Sequence, residues 1–217
     1  MISYFVKTPN LISTLYPNQV WCFSPKEKNI YLTFDDGPTP EITDWVLETL
    51  GKYDAKATFF CIGQNIEQNS DVFNRIYSNG HAIGNHTYNH LNGWKTSNND
   101  YLNSVLKTER VINKILVNDN KKLFRPPYGR IKRAQTKTLL KNKYNIIMWS
   151  VLSADFDNKI DKNKCLNNVI KSTGNGSIIV FHDSVKAFDK LQVILPQVLE
   201  YFTSIGYRFK KIENSTI

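Results

Sequence analysis

Several short stretches of this chain carry side chains whose types and spacing suit hydrolysis. The first is Thr33-Phe34-Asp35-Asp36-Gly37-Pro38, where two adjacent carboxylates follow the apolar run Ile30-Tyr31-Leu32. Consecutive side chains of a strand point to opposite faces, so two neighbouring aspartates share a site only if the chain bends there. Gly37-Pro38 supplies such a bend. Alone, the pair reads equally well as a polar turn. The second stretch is Asn85-His86-Thr87-Tyr88-Asn89-His90. His86 and His90 are four apart, so one helical turn would put both imidazoles on one face, a spacing that suits a divalent metal. A carboxylate from another strand end would complete a set of two histidines and one aspartate. Such a set leaves coordination positions open for water, as a catalytic metal requires. His81 lies inside an apolar run and reads as structural.

Three more stretches follow the same plan. In Phe124-Arg125-Pro126-Pro127-Tyr128-Gly129, Arg125 ends a short apolar run ahead of two stiffening prolines. It is either a surface arginine or a guanidinium holding a carboxylate by paired hydrogen bonds. The run from Ile146 through Trp149 ends in a polar turn that carries Asp155 and Phe156. The run Ile178-Ile179-Val180-Phe181 ends in His182. Strands ending in Asp, His, Arg and His would aim their side chains at one mouth of a barrel.

The elements that must position these residues alternate along the chain. Apolar, β-branched runs recur at 30–34, 57–62, 81–84, 123–125, 145–151, 177–181 and 206–209. Helical spacing fills the gaps at 40–50, 99–117, 136–143, 163–173 and 188–203. Pro196 is expected to kink the last helix or split off its start. Alternation of this kind implies a parallel sheet with helices outside. A full eight-unit barrel takes about 250 residues. With 217 residues the chain predicts an α/β fold, a distorted or incomplete TIM-like (β/α) barrel of about seven parallel strands in a single domain. Residues 1–27 are expected to form an N-terminal strand or loop cap on the barrel, and 28–217 the domain that carries the chemistry.

Composition narrows the function classes. The hydrophobic fraction is 41%, that of an ordinary globular domain. No apolar run reaches the roughly 18 residues that cross a bilayer. The first ten residues lack a basic segment followed by an apolar core, so they do not read as an export signal. Cys22, Cys61 and Cys165 are odd in number and widely spaced, which argues against a disulfide framework or a thiolate zinc site. The net charge of +9 suits a polyanionic partner, but the lysines are scattered and form no basic stripe with aromatics, so nucleic acid is not expected as one.

Taken together, TFDDGP at Thr33–Pro38, HTYNH at His86–His90, RPPY at Arg125–Tyr128, the Trp149–Phe156 stretch and the Ile178–Asp183 run resemble the NodB-homology polysaccharide deacetylases, carbohydrate esterase family four. The resemblance covers about residues 28 to 210. It implies that Asp36, His86 and His90 hold one divalent metal ion, most often Zn2+ and otherwise Co2+, Ni2+, Mn2+ or Fe2+. It implies that Asp35 is the general base, oriented by Arg125. It makes His182 the general acid, with Asp155 adjusting its charge. Tyr128, Trp149, Phe156 and Val180 would contact substrate, Tyr128 through its backbone N–H. Phe156 stands where the family often has tryptophan, and Val180 where leucine is usual. The implied partner is an acetylated glycan of the peptidoglycan or chitin type. O-acetyl esters of the xylan type are the alternative substrate, and an inactive carbohydrate-binding relative the remaining one. Family analogy implies an extracellular or periplasmic place, whereas the chain's start suggests a cytoplasmic one.

Overall fold

A computed structural model describes residues 4–116 and 122–213. The expected helix end at Val117 lies outside them. Seven strands form one parallel sheet. They are β1 (Asn29–Asp35), β2 (Ala57–Cys61), β3 (Ala82–Asn85), β4 (Leu123–Phe124), β5 (Asn145–Ile146), β6 (Val151–Leu152) and β7 (Ile178–His182). Their order is β5-β4-β3-β2-β1-β7-β6, every pairing is parallel, and β8 (Arg208–Phe209) pairs with the start of β1. This is the distorted barrel expected from the alternation.

The run expected as one strand over 145–151 is divided. Its first part pairs with β4 and its second with β7, so two consecutive segments form the two edges of the sheet. Residues near the N-terminus pack against this bend. Val20 and Thr8 bond to the backbone at Ile146, Met148 and Ser150, and Leu152 N–H donates to the Val6 carbonyl at 2.8 Å. This region, expected to be a strand or loop, holds isolated bridges and a short helix, α1 (Asn10–Leu15).

The helices are α2 (Ile42–Gly51), α3 (Gly63–Gln68), α4 (Ser70–Ser78), α5 (Asn98–Ile115), α6 (Arg133–Lys141), α7 (Lys162–Ser172) and α8 (Val185–Ser204). α3 and α4 were not foreseen. α8 is not split at Pro196. An interior proline costs about 3 kcal/mol. The helix buries Leu191, Ile194, Leu195, Val198, Leu199 and Phe202, and each such side chain contributes about 2 kcal/mol.

Alternation along the strands separates two environments. Ile30, Leu32 and Phe34 of β1 pack outward with Phe59 and Cys61 of β2 and Ile179 and Phe181 of β7, against the helices. Thr33 and Asp35 point inward, where both meet Arg125. Phe60 of β2 faces inward as well, with Arg125 over its ring. The inward face thus holds an apolar cluster that includes Tyr31, Phe60, Ile147 and Ile178, and, at the ends of the strands, the side chains that carry the chemistry.

Candidate active site

Asp35 is the last residue of β1, in register with Phe60 of β2 and His182 of β7. Its partner Arg125 is fully buried. Arg125 Nη1 donates to Asp35 Oδ1 at 2.8 Å and to Thr33 Oγ1 at 2.6 Å. Nη2 and Nε donate to the carbonyls of Met148 and Ile147 at 2.9 and 3.2 Å. The sequence reading of paired bonds to one carboxylate needs this correction: one arm of the fork holds Asp35 and the other holds backbone. Asp35 Oδ2 is left without a hydrogen bond among the described residues and faces the cleft. Burial pulls the guanidinium pKa down and Asp35 opposes it. Arginine starts so far above neutrality that it stays a cation.

Asp36 reaches the same mouth because its backbone turns into the left-handed region, φ 83°. Its Oδ1 lies 3.8 Å from His86 Nε2 and 3.2 Å from His90 Nε2. The three candidate ligand atoms lie within 4.8 Å of one another. His86 and His90 do not share a helical turn. Thr87 and His90 are left-handed, at φ 64° and 56°, and the segment is a loop. The N–H groups of Gly63 and Gln64, opening α3, donate to the carbonyls of Thr87 and Tyr88 and hold it. The imidazoles converge through loop curvature.

The donor set fits a divalent ion. Asp36 Oδ1 is buried with no hydrogen-bond partner among the described residues, and a buried acceptor left unpaired costs about 1–3 kcal/mol. His86 Nδ1 lies 2.8 Å from the Arg125 carbonyl, which can only accept. That bond places the proton on Nδ1 and turns the Nε2 lone pair toward Asp36. Burial lowers the His86 pKa to about 3, helped by His90 and opposed by Asp36. Burial also lowers that of His90, against the pull of Asp36. Neutral imidazoles are the ligating form.

On the other side of the mouth, His182 Nδ1 lies 2.7 Å from Asp155 Oδ1, and the His182 N–H donates to Asp155 Oδ2 at 2.8 Å. Asp155 is fully buried. Burial acts to lower the His182 pKa, but Asp155, joined by Asp36 and Asp35, outweighs it and raises the value to about 10. The edge of Phe156 packs on the imidazole at 5.2 Å. Tyr128 is left-handed at φ 60°, and nothing among the described residues accepts its backbone N–H. Its ring lies 4.5 Å from that of His90. Tyr128, Trp149, Phe156 and Val180 all line a cleft of about 1170 Å³ that also contains Asp35, Asp36, His86, His90 and His182.

Asp183 had no assigned role in the sequence reading, although an acid directly after a strand-end histidine was visible. It is buried, accepts from Gly37 N–H at 3.1 Å and from Thr43 Oγ1 at 2.6 Å, and so clamps the turn that follows Asp36. Burial raises its pKa to about 7, aided by Asp36 and opposed by Thr43 and Gly37. A Cβ at Gly37 would run into this carboxylate. Gly37→Ala is expected to destabilise the fold by about 1–3 kcal/mol through overpacking. Gly51→Ala, where a Cβ meets open space, should stabilise by about 0.4–1 kcal/mol. Urea denaturation of both variants checks the contrast.

The profile of the polysaccharide deacetylase family matches residues 24–147, more than half of the sequence. The chain belongs to the polysaccharide deacetylase family. A peptidoglycan-N-acetylglucosamine deacetylase of Bacillus cereus is 38% identical over 177 residues, 78% of this chain and 62% of that protein. The chain thus spans less than two thirds of that relative's length. The solved structure of the Bc1960 peptidoglycan N-acetylglucosamine deacetylase superposes with a TM-score of 0.83 at 32% identity and covers 97% of both chains. BA3943 of Bacillus anthracis, described as a family pseudoenzyme, superposes at 0.78 with 26% identity over 89% of this chain and 67% of its own. A relative without activity can therefore keep this fold. Whether a family member is active has to be argued from the groups at the mouth of the barrel.

Proposed function

We propose that this chain is a metal-dependent N-deacetylase of glycans containing N-acetylated sugars. The observation that carries the reading is the separation of the two adjacent aspartates. Asp35 is bonded to Arg125 with one oxygen free at the cleft, while Asp36 faces two neutral imidazoles. Asp36, His86 and His90 would hold a divalent ion, which supplies Lewis-acid polarisation of an acetamide carbonyl and of water.

The remaining work falls to the chain's own residues. Asp35 Oδ2 takes a proton from the attacking water, and Arg125 holds that carboxylate in place through its other oxygen. The Tyr128 N–H is free to donate to the oxyanion, a contact worth about 3 kcal/mol in comparable sites. Val180 and Trp149 give the acetyl methyl an apolar wall. His182, held protonated by Asp155, donates to the departing nitrogen. This last step favours amides over esters, because an amine needs a proton to leave and an alkoxide depends on one less. The cleft volume exceeds the 300–1,000 Å³ of typical small-molecule pockets, which suits several sugar rings.

Acetate release from N-acetylated chito-oligosaccharide, peptidoglycan glycan strands and acetylated xylan tests the reading. Release from the first two is expected, with loss after chelation and recovery on adding Zn2+ or Co2+. Full turnover in a metal-free preparation would overturn the metal requirement. Release from xylan alone would overturn the N-acetyl assignment.

A further inference from the structure

The two halves of the candidate metal set come from different parts of the chain. Asp36 follows the end of β1, and His86 and His90 lie in the loop after β3. The opening turn of α3 touches both. On one side the Gly63 and Gln64 N–H groups donate to the Thr87 and Tyr88 carbonyls at 3.0 and 2.9 Å. On the other, Asn65 Nδ2 donates to the Asp36 carbonyl at 2.7 Å, and the Ile62 N–H donates to the Gly37 carbonyl at 2.9 Å. Three consecutive residues, Gly63, Gln64 and Asn65, thus hold both of the turns that carry ligands.

This seating is close. A Cβ at Gly63 would run into Thr108 Oγ1 of α5 and the ring of Tyr88. Asp36 also needs holding. At φ 83° it is left-handed, a conformation that a residue other than glycine keeps only where its surroundings impose it. Asn65 bonds the carbonyl of that same residue, and no other group among the described residues does so. Asp183 holds the following peptide from the opposite side, through the Gly37 N–H. The lining of the cleft includes Asp36, His86 and His90 but not Asn65. Asn65 therefore acts through Asp36.

We propose that Asn65 is a positioning residue: with the opening turn of α3 as a bracket, it sets the separation of Asp36 from His86 and His90, and so the affinity for a divalent ion. The proposal rests on the metal-dependent reading of the site and assigns the part of the chain that holds that site to size. Without the amide, the Asp36 turn loses the bond that ties it to the histidine loop, and its carboxylate drifts from the imidazoles. Asp35, Arg125, Asp155 and His182 are held by other bonds and stay in place.

The probe is Zn2+ alone. Its Kd is measured by competition with a chromogenic chelator on wild type, Asn65→Ala and Asn65→Asp, each stripped of metal. Groups bonded behind metal ligands typically account for about 10- to 100-fold in affinity, and a rise in Kd of that size is expected for Asn65→Ala. Asn65→Asp keeps the shape and loses the donor. Its added negative charge would by itself tighten cation binding, so weaker binding there reports the lost hydrogen bond. Gln68→Ala, on an exposed position of the same helix, should bind Zn2+ as the wild type does. Acetate release followed against metal concentration should need more metal in Asn65→Ala and reach the wild-type kcat at saturation. Urea denaturation of the metal-free proteins separates positioning from folding. An Asn65→Ala chain with unchanged Zn2+ affinity, whatever its stability, would overturn the proposal, as would a kcat that saturating metal does not restore. If Asn65→Ala does not fold, Asn65→Asp decides alone, and binding as tight as the wild type's would overturn the proposal. A wild type that binds no Zn2+ would bring down the metal reading itself, and this proposal with it.

Discussion

Asp35→Asn is expected to lower kcat for acetate release by about 10²- to 10⁴-fold, the range of a lost general base. Metal content per chain should be unchanged. Asparagine keeps an acceptor oxygen for the Arg125 and Thr33 network but cannot take a proton at neutral pH. It also leaves Asp36, His86 and His90 in place. Steady-state kinetics and elemental analysis of the same preparation decide it. Loss of metal along with turnover would mean that the roles of Asp35 and Asp36 are interchanged. Removing Arg125 is a less clean route to the same question. It would strand a buried carboxylate, and breaking a buried pair typically destabilises by about 3–5 kcal/mol.

Asp155→Asn is expected to move the alkaline limb of the kcat profile to lower pH. The proposed acid works only as imidazolium, so activity falls as pH rises through the His182 pKa. In the wild type that value is about 10. Burial opposes protonation, and the variant keeps the burial while losing the carboxylate at 2.7 Å. The pKa therefore drops, and each unit costs tenfold in the protonated population above it. Turnover at pH 8 should fall far more than turnover at pH 6. Stability follows the same sign. A histidine with a raised folded pKa contributes stability that is fully present below about 6.5, its ordinary value, and fades as pH climbs toward 10. The wild type should lose stability over that window, and Asp155→Asn should lose less. A parallel shift of both limbs, or none, would remove Asp155 from the tuning of His182.

Much of this was readable from the residues, for identifiable reasons. β1 and its strand-end carboxylates were legible because an apolar run stops abruptly at a Gly-Pro turn. That His86 and His90 would meet a strand-end carboxylate was legible from residue type, and the family resemblance pointed to Asp36, but the means of bringing them together was not legible. Spacing of four suggests a helix, whereas the chain makes a loop whose left-handed Thr87 and His90 owe their shape to α3. α3 itself was missed because Gly63 and Asn65 are poor helix formers and only Ile66 gives an apolar signal. α4 carries Val72, Phe73 and Ile76 at helical spacing and was there to be read. The division of 145–151 into two edges depends on which strands lie beside it, which local pattern does not encode. Asp183 escaped notice because its partners, Gly37 and Thr43, are well over a hundred residues away in sequence.

The inward and outward faces of β1 also bear on how this chain can vary. Along Ile30–Asp35, substitutions at the outward positions 30, 32 and 34 meet other hydrocarbon and can be accommodated by volume-conserving exchange. Those at 33 and 35 meet the buried charge of Arg125 and have no apolar replacement that leaves it paired. A saturation-mutagenesis library selected for solubility alone should therefore show permissive and intolerant codons alternating with a period of two. The mutational record of the barrel wall would register the chemistry inside it, even in cells where the enzyme's product gives no advantage.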